Sequence, residues 1–106
     1  MNNYADLTDE QINAQIAERL FGYEKHSEVF GNYPYATTYE ASIGLVVPAM
    51  RERGWMFFLT DMSTHIQVVF EQDDDTYFDV RSDYGKEPRA ICEAALLALD
   101  SQEAQG

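Results

Sequence analysis

Cysteine is nearly missing. Cys92 is the single one in the chain, so no internal disulfide can form, and a reducing compartment is the expected setting. No run of about 18 apolar residues occurs, which excludes an ordinary membrane-spanning helix. Basic residues are scarce as well. Seven Lys and Arg face nineteen Asp and Glu, for a formal net charge of −12. Nucleic-acid binding depends on Lys and Arg displacing counterions, so such a chain is a poor direct binder of DNA, RNA or anionic membrane. The possible zinc ligands His26, His65 and Cys92 are scattered rather than spaced as a metal site. There is no Gly-rich phosphate loop and no nucleophile elbow. A Cys92–His65–Asp61 triad can be written down, but no motif supports it. The reading is a non-enzyme that needs no cofactor. The opening MNNYADLTDE lacks a signal-peptide pattern, so a cytoplasmic location is expected.

What is present suits one compact domain. The chain has 106 residues, 45% hydrophobic and 13% aromatic, enough for one core. The core is expected over residues 7–99, with 1–5 and 101–106 frayed or disordered. Thr8 and Gln11 have capping-box spacing, and Leu7 with Ile12 forms a hydrophobic staple. Ile12, Ile16 and Leu20 then mark the buried stripe of a first helix, and Gly22 suits its end. Residues 23–38 lose the helical pattern and carry Gly31, Asn32 and Pro34, which favour turns. A second helix is expected from Thr37 or Thr38, with Thr37 and Glu40 as a capping box and Ile43, Val46, Val47 and Met50 facing inward. Pro48 should kink it, since its ring meets the carbonyl of Gly44. Arg51, Arg53 and Gly54 suit its end.

Residues 55–59 are continuously apolar, which predicts a strand covered on both faces. Residues 65–71 and 76–81 alternate and are joined by short polar links, which predicts an antiparallel meander. Pro88 opens a closing helix with Ile91, Ala94, Ala95, Ala98 and Leu99 inward. The expected fold is mixed α/β (α+β): a three-layer α/β/α sandwich around a small antiparallel three-stranded sheet, in the order α-loop-α-β-β-β-α.

Three segments, LTDEQINAQIAERL, RERGWMFFL and PRAICEAALLAL, resemble the phage ABA sandwich domain family, and the first is also similar to the related phage NinX-like proteins. The resemblance spans roughly residues 7–99. It implies an α/β/α fold and a phage or prophage origin, and it carries no catalytic residues.

Two groups of residues are candidates for function. In FEQDDDTYFDV, residues 70–80, Asp73, Asp74 and Asp75 are consecutive and no glycine lies among them. A calcium loop needs alternating ligands around a glycine, so a hairpin turn is preferred and no metal is assigned. With Glu71, Asp79 and Asp83, these acids would form a phosphate-mimicking face for a host protein with a basic surface. The second group is Tyr23, Phe30, Tyr33, Tyr35 and Tyr39, which either form an interface or cap the core. The leading expectation is therefore a phage-encoded acidic binding protein, an inhibitor of host defence that occludes a basic, nucleic-acid-binding surface. The alternatives are a sponge for a nucleotide signal, held by Arg51, Arg53, Arg81, Lys86 and Arg89, and a homo-oligomeric structural protein, such as a homodimer joined through the aromatic loop.

Overall fold

The computed structural model describes residues 4–22 and 33–105. Helix α1, Asp9–Arg19, begins as its sequence dictates. Thr8 Oγ1 accepts from Gln11 N at 3.1 Å, and Gln11 Oε1 accepts from Thr8 N at 2.9 Å. Two amides that have no partner within the helix are thereby satisfied. Ile12, Ile16 and Leu20 are buried as expected. Gly22 does adopt a left-handed conformation at φ 73°, two residues beyond the C-cap Leu20.

Helix α2 occupies residues 39–52 in three consecutive pieces: α-helix Tyr39–Ala41, π-helix Ser42–Val46 and α-helix Val47–Glu52. Its N-cap is Thr38 rather than Thr37, and Thr38 Oγ1 accepts from Ala41 N at 3.2 Å. Pro48 neither breaks nor simply kinks the helix. The turn just before it widens, and Val47 N reaches back five residues to the Ser42 carbonyl. A wider turn relieves the contact between the proline ring and the preceding carbonyl. It also shifts the helix face. Val46, Val47 and Met50 are buried as expected, but Ile43 is exposed and Ser42 is buried in its stead.

Strands β1, Met56–Asp61, β2, Ile66–Asp73, and β3, Thr76–Ser82, form an antiparallel sheet in the order β1-β2-β3. Ile66, Val68 and Phe70 on the central strand are buried, whereas Gln67, Val69 and Glu71 are half-exposed. The helical cover therefore lies against one face. The expectation that residues 55–59 are covered on both faces is corrected here. Trp55 is buried against Phe78, ring centroids 5.9 Å apart, but Met56, Phe58 and Leu59 are exposed.

The element surrounded on all sides is instead α3, Glu87–Gln105. Ala90, Ile91, Cys92, Ala94, Ala95, Leu96, Ala98 and Leu99 are all buried. A helix that is apolar almost all round belongs in the middle of a fold. Here α3 packs on β2 and β3 and also on α1 and α2. The mixed α+β sandwich expected from the sequence is observed, but with the sheet as an outer layer rather than the middle one.

Residues Tyr4–Asp6 form a 3-10 turn, and Tyr4 is buried. Its hydroxyl donates to Asp100 at 2.7 Å and accepts from Arg19 at 2.8 Å. Arg19 also pairs with Asp100 at 2.6 Å and with Glu103 at 2.9 Å. This network holds the opening turn against the far end of α3, which continues to Gln105 rather than fraying after residue 100.

Candidate functional site

Among the described residues the outer face of the sheet has no helix against it, and the register orders it into rows. Met56, Glu71 and Tyr77 lie side by side across the three strands, then Phe58, Val69 and Asp79, then Thr60, Gln67 and Arg81. Met56 is 50% exposed, Phe58 46% and Tyr77 56%. Large apolar groups at such exposure in adjacent rows form a contiguous patch, a common mark of an interaction surface. Asp79 sits beside it, accepting from Gln67 Nε2 at 3.1 Å and lying 3.6 Å from Arg81.

The hairpin tip extends this face. Asp73 pairs with Thr76 across the turn, and Asp73 Oδ1 accepts from the Asp75 amide at 2.9 Å. An aspartate that holds its own turn by a backbone bond is the ordinary reason for Asp at such a position. Asp73, Asp74 and Asp75 therefore stand at the tip of the β2–β3 hairpin, exposed to water. Glu71 and Asp79 join them on the outer face. Asp83 does not, because it follows the opposite end of β3, about 20 Å away at ordinary strand rise.

The aromatic group divides. Tyr23 and Phe30 lie outside the described residues. Tyr35 is a core residue, 2% exposed and stacked on Phe21 at 5.3 Å. Tyr33 leans on it at 5.1 Å and is half in water. Tyr39 opens α2, is exposed, and donates its hydroxyl to Glu87 at 2.6 Å. That bond raises the Tyr39 pKa and lowers that of Glu87. Of the described members, then, Tyr35 caps the core while Tyr33 and Tyr39 reach solvent separately.

A cavity of about 660 Å³ lies at the other end of β3, and Arg81, Lys86 and Arg89 line it together with Asp9, Asp83 and Glu93. Of its cations, Arg89 is committed. Arg89 pairs with Asp9 at 2.7 Å and Glu93 at 3.1 Å, and donates to the carbonyls of Tyr4 and Leu7. Arg53, outside the cavity, donates to the carbonyls of Arg19 and Leu20. A phosphate entering here would meet as many carboxylates as cations, which opposes binding.

The residues of the written triad have other partners. His65 Nδ1 contacts Thr64 Oγ1 at 2.9 Å. Asp61 accepts from the Tyr84 hydroxyl and from Ser63 N, and these two bonds lower its pKa. Cys92 is fully buried, and burial pushes its thiol pKa up, the wrong direction for a nucleophile. Among the described residues no group of three or more His, Cys, Asp or Glu is placed to hold a metal ion.

Fold and surface together define a small acidic α+β domain with one open sheet face. No family model, no curated protein and no solved structure matches the chain. The apolar half of the open face, Met56, Phe58 and Tyr77, was missed by sequence reasoning. The available signal was the near-continuous apolar circumference of the closing helix. A helix that must itself be surrounded draws the other helices to it and leaves the sheet one cover.

Proposed function

We propose that the protein is a small acidic binding module, phage-encoded as the family resemblance implies, that occludes a basic nucleic-acid-binding surface on another protein. One observation carries this reading. Exposed Met56, Phe58 and Tyr77 share two adjacent rows of the sheet with Glu71 and Asp79, beside the Asp73–Asp75 tip. Surfaces that grip nucleic acid combine Lys and Arg with stacking aromatics. A face with apolar groups amid carboxylates complements both parts. The charge supplies the salt-dependent attraction and orients the encounter, and the apolar contacts add to the affinity.

The test compares wild type with an Asp73→Lys, Asp74→Lys, Asp75→Lys variant as immobilised bait for bacterial lysate, with bound proteins identified by mass spectrometry. The wild type is expected to retain a nucleic-acid-binding protein that elutes as salt rises and is displaced by added DNA or RNA. The triple variant should lose it. A partner held equally by the variant, with the same salt dependence, would overturn the proposal.

A further inference from the structure

Strand β1 lies at the edge of the sheet, and half of its backbone groups have no partner among the described residues. The Met62 amide donates to the His65 carbonyl at 2.9 Å, so this pair at the turn is hydrogen-bonded. Antiparallel ladders alternate, which makes Thr60–Gln67, Phe58–Val69 and Met56–Glu71 the hydrogen-bonded pairs along the strand. Phe57, Leu59 and Asp61 therefore turn their N–H and C=O groups away from β2. Among the described residues no hydrogen bond takes these groups. Native edges are usually blunted by Lys, Pro or a bulge. This strand has no Lys or Pro, and it carries a charge only at its last residue, Asp61. Met56, Phe58, Leu59 and Met62 are each between 40% and 50% exposed along it.

We infer that β1 pairs antiparallel with β1 of a second copy of this chain about a two-fold axis at Leu59, joining two sheets into one of six strands. Backbone complementarity selects that register. Centring on Leu59 matches all three free residues, Phe57 with Asp61 of the second copy and Leu59 with its own equivalent. An axis at Phe58 would set Asp61 against Trp55, whose amide already donates to the Met50 carbonyl at 3.1 Å. An axis at Thr60 would set Phe57 against Ser63, whose amide is held by Asp61 Oδ1 at 2.8 Å and whose φ is 70°. The Leu59 register also sets exposed Met56 against exposed Met62. It brings Asp61 of the second copy toward a groove of about 520 Å³ lined by Arg51, Met56, Phe57 and Phe58. The net charge does not oppose this pairing strongly. The acidic hairpin tips lie at the Met56 end of β1, so the two-fold sends them to opposite ends, on the order of 40 Å apart and several Debye lengths in ordinary salt. This inference is independent of the proposed function and leaves the acidic tips free.

Two short strands bury less than a standard interface, so the dimer should form in the micromolar range. Sedimentation velocity from roughly 1 to 300 µM brackets that range. The mass should rise from 12.1 kDa toward twice that value. Leu59→Lys places the usual edge guard on an exposed position and should hold the protein monomeric throughout, with an unchanged circular dichroism spectrum. Under mild oxidation Leu59→Cys should cross-link to itself at least about tenfold faster than Phe58→Cys, because paired α-carbons lie within disulfide reach. A wild type that stays monomeric at the highest concentration, a Leu59→Lys variant that still dimerises, or faster cross-linking through Phe58→Cys would each overturn the inference.

Discussion

Asn13 shows how much one buried polar atom can organise. It sits on α1 between Ile12 and Ile16, is 6% exposed, and accepts from the Ala36 amide at 2.8 Å. That bond fastens the segment before α2 to the first helix. Asn13→Leu should cost about 1–3 kcal/mol, because the Ala36 amide loses its partner in a buried place. In urea unfolding the midpoint should fall with little change in slope, and an unchanged midpoint would contradict the assigned role. Cys92 is the opposite case, a fully buried thiol whose pKa is raised by burial. Its thiol should resist Ellman's reagent in the folded protein and react only as fast as the protein opens. Rapid stoichiometric labelling of the native state would show that its burial is incomplete. Of these two residues, only Cys92 was legible in the sequence, from its alanine neighbours. The partner of Asn13 lies 23 residues away in sequence, and local patterns do not encode such a pairing. The same holds for Tyr4, whose partners Arg19 and Asp100 lie 15 and 96 residues away.

Elements were legible where their signals are local. The cap of α1 depends on Thr8 and Gln11 alone, and the strands of the hairpin follow from alternation. The π turn before Pro48 was not legible, because a proline announces a disturbance without saying how the backbone relieves it. The exposure of β1 was not legible either, since an apolar run reveals what can be buried and not how many layers are available. Two hydrogen bonds between tyrosines and carboxylates join separate elements and set a testable pH response. Tyr84 at the β3–α3 link donates to Asp61 at the end of β1, and Tyr39 on α2 donates to Glu87 at the start of α3. These bonds lower the pKa of Asp61 and Glu87 and raise that of Tyr84 and Tyr39. A lowered carboxylate stabilises the fold above its ordinary range and loses that contribution as pH falls through the lowered value. A raised phenol stabilises below its ordinary range and loses that contribution as pH rises through the raised value. Against a Tyr39→Phe, Tyr84→Phe variant, the melting-temperature advantage of wild type should therefore be widest between the two ranges and shrink at both ends. A constant difference across pH would show that neither bond is linked to folding.

At the scale of the whole molecule, charge is the dominant quantity, and its effect on stability is separable from its effect on binding. The chain carries −12 on a compact body with a radius of gyration of 12.9 Å, so its carboxylates repel one another at every point of the surface. Against this stand a few close ion pairs, chiefly Arg19 with Asp100 and Glu103, and Arg89 with Asp9 and Glu93. Salt acts on the two in opposite senses. Raising ionic strength from about 0.01 M to 0.15 M shortens the Debye length from about 30 Å to about 8 Å. The diffuse repulsion is screened over that interval. The pairs held by Arg19 and Arg89 are partly buried and in direct contact, so they are screened much less. The melting temperature should consequently rise with sodium chloride over this range. Asp74→Asn with Asp75→Asn should raise it at low salt and flatten the rise, because removing these two exposed charges relieves repulsion while Asp73 still accepts the bond that shapes the turn. A melting temperature that falls as salt is added would mean that the pairs of Arg19 and Arg89 outweigh the repulsion. The acidic surface would then be supported by those two arginines, and Arg19→Met should reverse the sign of the salt response.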